Sequence, residues 1–154
     1  MSAYFFDSSG LVKRYLNETG SKWVIRLFKP SAKNSILVAR IAGVEVVSAI
    51  ARKRKGMKIT PSNAQKSIFR FQRDFRQRFV KINLTPQLTE DAMQIADKYE
   101  LRGYDAVQLA SAIEANDLRQ INALSSIIFV SADNALNSAA QTEGLAVDNP
   151  NNHP

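Results

Sequence analysis

The chain has no cysteine and a single histidine among its 154 residues. The first absence removes disulfides, thiolate nucleophiles and cysteine-ligated zinc together. The histidine, His153, stands in the Asn- and Pro-rich stretch 149–154, which reads as a flexible C-terminal tail. A histidine base therefore has no natural place here, and any catalysis must rest on carboxylates, hydroxyls and bound metal. Long hydrophobic runs are also missing: none approaches the ~20 residues of a membrane span. The apolar segment Tyr4-Phe5-Phe6 begins almost at once, leaving no room for a basic leader. A cytoplasmic protein is the simplest fit. Acidic residues are scarce, 14 against 21 Lys and Arg, for a net charge of +7 and a pI near 9.9. Such a surplus favours a polyanionic partner, nucleic acid or an acidic protein.

What is present reads as one domain over residues 1–148. Short apolar runs, Tyr4–Phe6, Ile36–Ala39, Val80–Leu84, Ile127–Val130 and Leu145–Val147, alternate with segments of helical periodicity. The runs lack polar alternation, as strands of a parallel sheet buried on both faces do, so the fold class is α/β with helices on each side. Thr60-Pro61 and Thr85-Pro86 mark helix starts. The helix after the second strand should bury Val44, Val47, Ile50 and Ala51. Gly103 can end one helix, with Asp105 at or beside the N-cap of the next. In the first helical segment, Lys13 and Arg14 should face outward.

With so few acids, each can be judged by position. Ligands of open parallel sheets gather beyond the carboxyl ends of the strands. Asp7 directly follows the first strand, and Asp133 comes soon after the Ile127–Val130 strand. Asp105 heads a helix, where the dipole favours a negative group. Glu45 lies one turn into the helix after the second strand, on a face shared with Ile41 and Ser48. Others, Asp74 among them, fall among polar neighbours of amphipathic helices. If Asp7, Glu45, Asp105 and Asp133 converge, each pair ~4 Å apart repels by roughly 4 kcal/mol at an effective dielectric of 20. A divalent cation is the economical remedy, and an all-oxygen donor set suits Mg²⁺ or Mn²⁺. On a basic protein, such a cluster suggests phosphodiester cleavage.

Four segments carry a resemblance: Phe6-Asp7-Ser8-Ser9, Glu45 to Ile50, Tyr104 to Ala112 around Asp105, and Phe129 to Asp133 followed by Gly144-Leu145. In this order they resemble the PIN domain, and within it the toxin ribonucleases of the VapC type. The resemblance implies a three-layer α/β/α sandwich with a five-stranded parallel sheet. It implies a Mg²⁺- or Mn²⁺-dependent endoribonuclease, frequently a homodimer, held inactive by a small cognate antitoxin. Asp7, Glu45, Asp105 and Asp133 would be the metal-binding, catalytic carboxylates, with the Ser9 and Ser131 hydroxyls orienting them. The fourth acid varies within the family, and here Asn134 follows Asp133.

Basic side chains that could lie along an RNA backbone are Lys13 and Arg14, near the proposed site in sequence, and the stripe Lys66, Arg70 and Arg73. That stripe reads equally as a solvated helix face. The Phe69, Phe71, Phe75 and Phe79 group reads as core or dimer interface. The competing function is a catalytically silent PIN-like module that binds RNA or protein. Haloacid-dehalogenase-like phosphatases want a second Asp two positions after the first, where Ser9 stands. Receiver domains want an adjacent acidic pair near the first strand, which is absent.

Overall fold

Phe5 and Phe6 are both fully enclosed, yet they belong to different halves of the core, because neighbouring strand residues point to opposite faces of a sheet. Their strand, β1 (Ala3–Phe6), is the middle of a five-stranded sheet in the computed structural model, which describes residues Met1–Pro154. The other strands are β2 (Ser35–Ala39), β3 (Val80–Ile82), β4 (Ile127–Val130) and β5 (Ala146–Asp148). Their order is β3-β2-β1-β4-β5 and every pairing is parallel. Parallel strands need crossover connections, supplied by seven α-helices.

On one face α1 (Ser8–Leu11), α2 (Ser21–Leu27), α3 (Ala42–Lys55) and α4 (Pro61–Gln77) pack Leu11, Val24, Val46, Ile50 and Phe71 around Phe6, Val38 and Val130. On the other, α5 (Pro86–Tyr99), α6 (Gly103–Ile121) and α7 (Asn134–Thr142) pack Leu88, Leu109 and Leu136 around Phe5, Leu37 and Phe129. This is the three-layer α/β/α sandwich expected. Thr60 and Thr85 cap α4 and α5, accepting from the Asn63 and Leu88 backbone N–H groups, each at 3.1 Å. No helix is long and apolar enough to cross a membrane.

Several local expectations need correction. Glu100, with φ of 54°, ends α5 in the left-handed conformation, whereas Gly103 is the first residue of α6 and Arg102 its N-cap. Asp105 thus lies inside the first turn. In α3 the buried residues are Ala42, Val46 and Ile50, while Val44 is 73% exposed. Val44, Val46 and Val47 lie on different sides of the front of this helix, so spacing could not fix its rotation. Lys13 is buried, not outward, and its ammonium meets Glu18 at 3.4 Å. Arg14 lies over the rings of Tyr15 and Phe28. Asp74 is also buried, accepting from the Tyr15 hydroxyl at 2.8 Å with the Arg73 guanidinium at 3.3 Å. Within the aromatic group Phe71 and Phe79 are core, and Phe69 is 67% exposed. Residues 149–154 make definite contacts: Pro150–Asn152 form a 3₁₀ turn, and His153 stacks on Trp23 and bonds Asp148 at 2.8 Å.

Candidate active site

The chain runs from β1 outward through β2 to β3, then returns to add β4 on the other side of β1. The strand order reverses there, and open α/β sheets place their crevice beyond such a point. Both residues that leave the two strands are polar. The register pairs Phe6 with Val130, so Asp7 and Ser131 emerge side by side. The Ser131 hydroxyl donates to Asp7 Oδ2 at 2.9 Å, and the Asp7 backbone N–H donates to the Val130 carbonyl at 3.1 Å.

Asp7 is only 4% exposed and receives two further donors, the Ser9 hydroxyl at 2.8 Å and the Gly10 backbone N–H at 2.9 Å. Ser9 in turn accepts from the Ala132 N–H, and Ser131 accepts from the Asp133 N–H, both at 3.0 Å. The two serines therefore tie the loops after β1 and β4 into one unit and fix the Asp7 carboxylate. Burial nevertheless pushes Asp7 up to about 6: removal from water outweighs the three hydrogen bonds, and the Asp105 charge adds to the rise.

Glu45, on the first turn of α3, reaches the same crevice and accepts from Gln108 Nε2 at 2.8 Å. Gln108 is buried on α6, one turn beyond Asp105, and also donates to the Ser8 hydroxyl at 2.9 Å. Its own carbonyl oxygen has no partner. Burial raises the Glu45 carboxyl above the usual range, and Asp105 raises it further. Asp133 is the N-cap of α7, accepting from the Leu136 N–H at 3.0 Å. Asp105 accepts from Arg102 Nε at 3.1 Å, and the same guanidinium reaches to 3.9 Å from Asp133.

Asp7, Glu45, Asp105 and Asp133 all line one open cavity of about 410 Å³, together with Ser8, Ser9, Ser48, Arg52, Arg102 and Gln108. Acids from four distant stretches of chain therefore share one crevice. Burial raises both Asp7 and Glu45 above the usual carboxylate range, and the nearby Asp105 charge adds to each rise, as a like charge does. The donor set is all oxygen, which is what Mg²⁺ or Mn²⁺ takes, and the unpartnered Gln108 oxygen adds a further acceptor beside it. These residues fit a hard divalent cation in kind. They do not stand as a ready-made cage: no three of the carboxylates are grouped as a ligand set. Glu45 is held by Gln108, and Asp105 by Arg102.

The basic residues divide differently from expectation. Neither Lys13 nor Arg14 lines the crevice: Lys13 is turned to Glu18, and Arg14 lies over the rings of Tyr15 and Phe28. Lys66, Arg70 and Arg73 are exposed on α4 but also stand outside the lining. The cations that do line it are Arg52, at the basic end of α3, and Arg102. Sequence reasoning missed Arg102 and Gln108. Gln108 carried a usable signal, being a polar side chain among Val107, Leu109 and Ala110 on the helix that begins with Asp105.

The PIN domain family model matches residues 4–141. Over 117 residues the chain is 32% identical to ribonuclease VapC45 and to ribonuclease VapC49, from two strains of Mycobacterium tuberculosis. Each match covers 76% of this chain and 79% of the relative. Among solved structures, VapBC2 from Rickettsia felis bound to a promoter DNA fragment superposes with a TM-score of 0.62 at 13% identity. It covers 96% of this chain and 98% of that one. A toxin–antitoxin complex from Klebsiella pneumoniae gives 0.57 at 17% identity, covering 96% and 97%. These distant likenesses speak for the fold, while the family match and the closer relatives speak for descent. The chain belongs to the PIN-domain family, as a member of its VapC type.

Proposed function

We propose that this protein is a Mg²⁺- or Mn²⁺-dependent endoribonuclease and the toxin of a toxin–antitoxin pair. The observation that carries the reading is the convergence of Asp7, Glu45, Asp105 and Asp133 on one crevice of a protein with net charge +7. Its relatives are named ribonucleases, and its structural neighbours include toxin–antitoxin complexes. Asp7, Glu45 and Asp105 would hold the cation, with Asp133 at the rim. When bound, the cation supplies the Lewis acidity that makes phosphodiester hydrolysis accessible near neutral pH. Ser9 and Ser131 keep the Asp7 carboxylate aimed into the crevice, and Gln108 does the same for Glu45. Arg52, on the crevice wall, would meet an RNA phosphate. Lys66, Arg70 and Arg73 remain candidates for more distant backbone contacts.

The partner set follows the same reading: an RNA substrate, a small antitoxin and, by family habit, a second copy of the chain. A homodimer would cover exposed apolar residues such as Leu118, Ile121 and Leu124, and analytical ultracentrifugation reports it directly. A cytoplasmic location is consistent with an RNA substrate.

The test is cleavage of a defined RNA. Mg²⁺ or Mn²⁺ should support it, EDTA should abolish it, and Asp7→Asn or Asp105→Asn should lower its rate by at least about a hundredfold with the fold intact. Folded variants that cut RNA as fast as the parent would overturn the reading. One observation favours the alternative of a silent binding module, namely that Arg102 already neutralises Asp105. A titration with Mn²⁺ separates the two, since the module predicts no saturable binding.

A further inference from the structure

Arg102 sits between two carboxylates of the crevice without being enclosed by it. Its Nε donates to Asp105 at 3.1 Å, and a terminal nitrogen stands 3.9 Å from Asp133, yet 68% of its side chain is exposed. The ring of Tyr104 lies 5.5 Å from the guanidinium carbon and is itself partly exposed. The backbone here is fixed: Arg102 is the N-cap of α6, and its carbonyl accepts from the Ala106 N–H at 3.0 Å. The side chain can therefore leave while its anchor stays.

We infer that Arg102 is a built-in counter-ion that competes with the divalent cation for Asp105 and Asp133 and so lowers the affinity of the crevice for metal. The inference rests on the metal-site reading above. It gives a physical reason why carboxylates that share one crevice are not grouped as a ligand cage: one of them is bonded elsewhere. A guanidinium and a divalent cation on the same Asp105 carboxylate repel each other, so each weakens the binding of the other. Because the ion pair is solvent-exposed, the competition is mild, a tuning of affinity and not a block. In the absence of metal Arg102 also relieves the repulsion that Asp105 exerts on Asp7 and Glu45. Arg102 is thus a positioning residue, acting through Asp105.

Isothermal titration of the metal-free protein with MnCl₂ tests this on the parent, Arg102→Gln and Arg102→Lys, each checked for its fold by circular dichroism. The expected result is Mn²⁺ affinity about two- to fivefold tighter in Arg102→Gln, the range that loss of an exposed ion pair gives. Arg102→Lys, which keeps the charge, should stay within about twofold of the parent. A thermal melt supplies a second readout. Arg102→Gln should melt below the parent in EDTA and recover most of that difference in saturating MnCl₂. A purely structural arginine would lower the melting temperature equally under both conditions. Equal or weaker Mn²⁺ affinity in a folded Arg102→Gln, beside a parent that binds Mn²⁺, overturns the inference and leaves the site reading intact. A parent that binds no Mn²⁺ overturns both.

Discussion

Asp7 is under opposing demands, and the balance between them is measurable. Three hydrogen bonds favour its charged form, but burial dominates and holds the folded carboxyl at about 6 against an ordinary 3.8. The folded chain therefore prefers a protonated Asp7. The stability this provides is complete below pH 3.8 and is lost as pH rises through about 6. Near pH 7 the ionised carboxylate costs the metal-free protein about 3 kcal/mol. Asp7→Asn should then raise urea-unfolding stability in EDTA near pH 7 by up to about that amount, with the gain vanishing near pH 4. The same substitution should abolish cleavage. A variant destabilised at neutral pH would contradict this picture of the site. At this scale the sequence was legible in part. Asp7 and Asp133 could be chosen because each follows a strand, and Asp105 because it opens a helix. Lys13 and Arg14 could not be placed, since whether a long basic side chain folds inward depends on contacts such as Glu18 and the Phe28 ring, brought up by distant chain.

Among the elements, α7 and α1 do more for the site than their lengths suggest. Asp133 caps α7 through the Leu136 N–H while also lining the crevice, so its two roles can be separated. Asp133→Asn preserves the cap and should leave stability within about 0.5 kcal/mol, whereas Asp133→Ala should cost about 1 kcal/mol, read by urea unfolding. Both should weaken Mn²⁺ binding less than Asp105→Asn does, because Asp133 stands at the rim. The short α1 lies so close to β4 that a Cβ on Gly10 would come within 2.8 Å of the Val130 carbonyl oxygen. That oxygen also accepts from the Asp7 N–H. Gly10→Ala should therefore destabilise by about 1–3 kcal/mol and reduce cleavage by moving Asp7, whereas Gly103→Ala, with open space around it, should do neither. Element order and type were readable because short unbroken apolar runs and period-3.6 patterns are distinct. The rotation of α3 was not, since Val44, Val46 and Val47 at its front lie on different sides and give no single phase. The end of α5 was misplaced because Glu100 takes the left-handed conformation that a glycine three residues later would have adopted more easily.

For the molecule as a whole, the fold makes the site by bringing together the carboxyl ends of strands remote in sequence, at the switch between β1 and β4. The register of those strands sets Asp7 beside Ser131, α3 adds Glu45, and α6 adds Asp105. That parallel topology was expected from the uninterrupted apolar strands, and it is what makes carboxylates far apart in sequence neighbours in space. We propose that the resulting crevice is a divalent-cation site. The most direct measurement is calorimetric titration of the metal-free protein with Mn²⁺, for the parent and for Asp7→Asn, Glu45→Gln and Asp105→Asn. The parent should bind saturably at millimolar concentrations or below, and each variant should lose that binding. No saturable binding to the parent, or binding that all three variants retain, would contradict it.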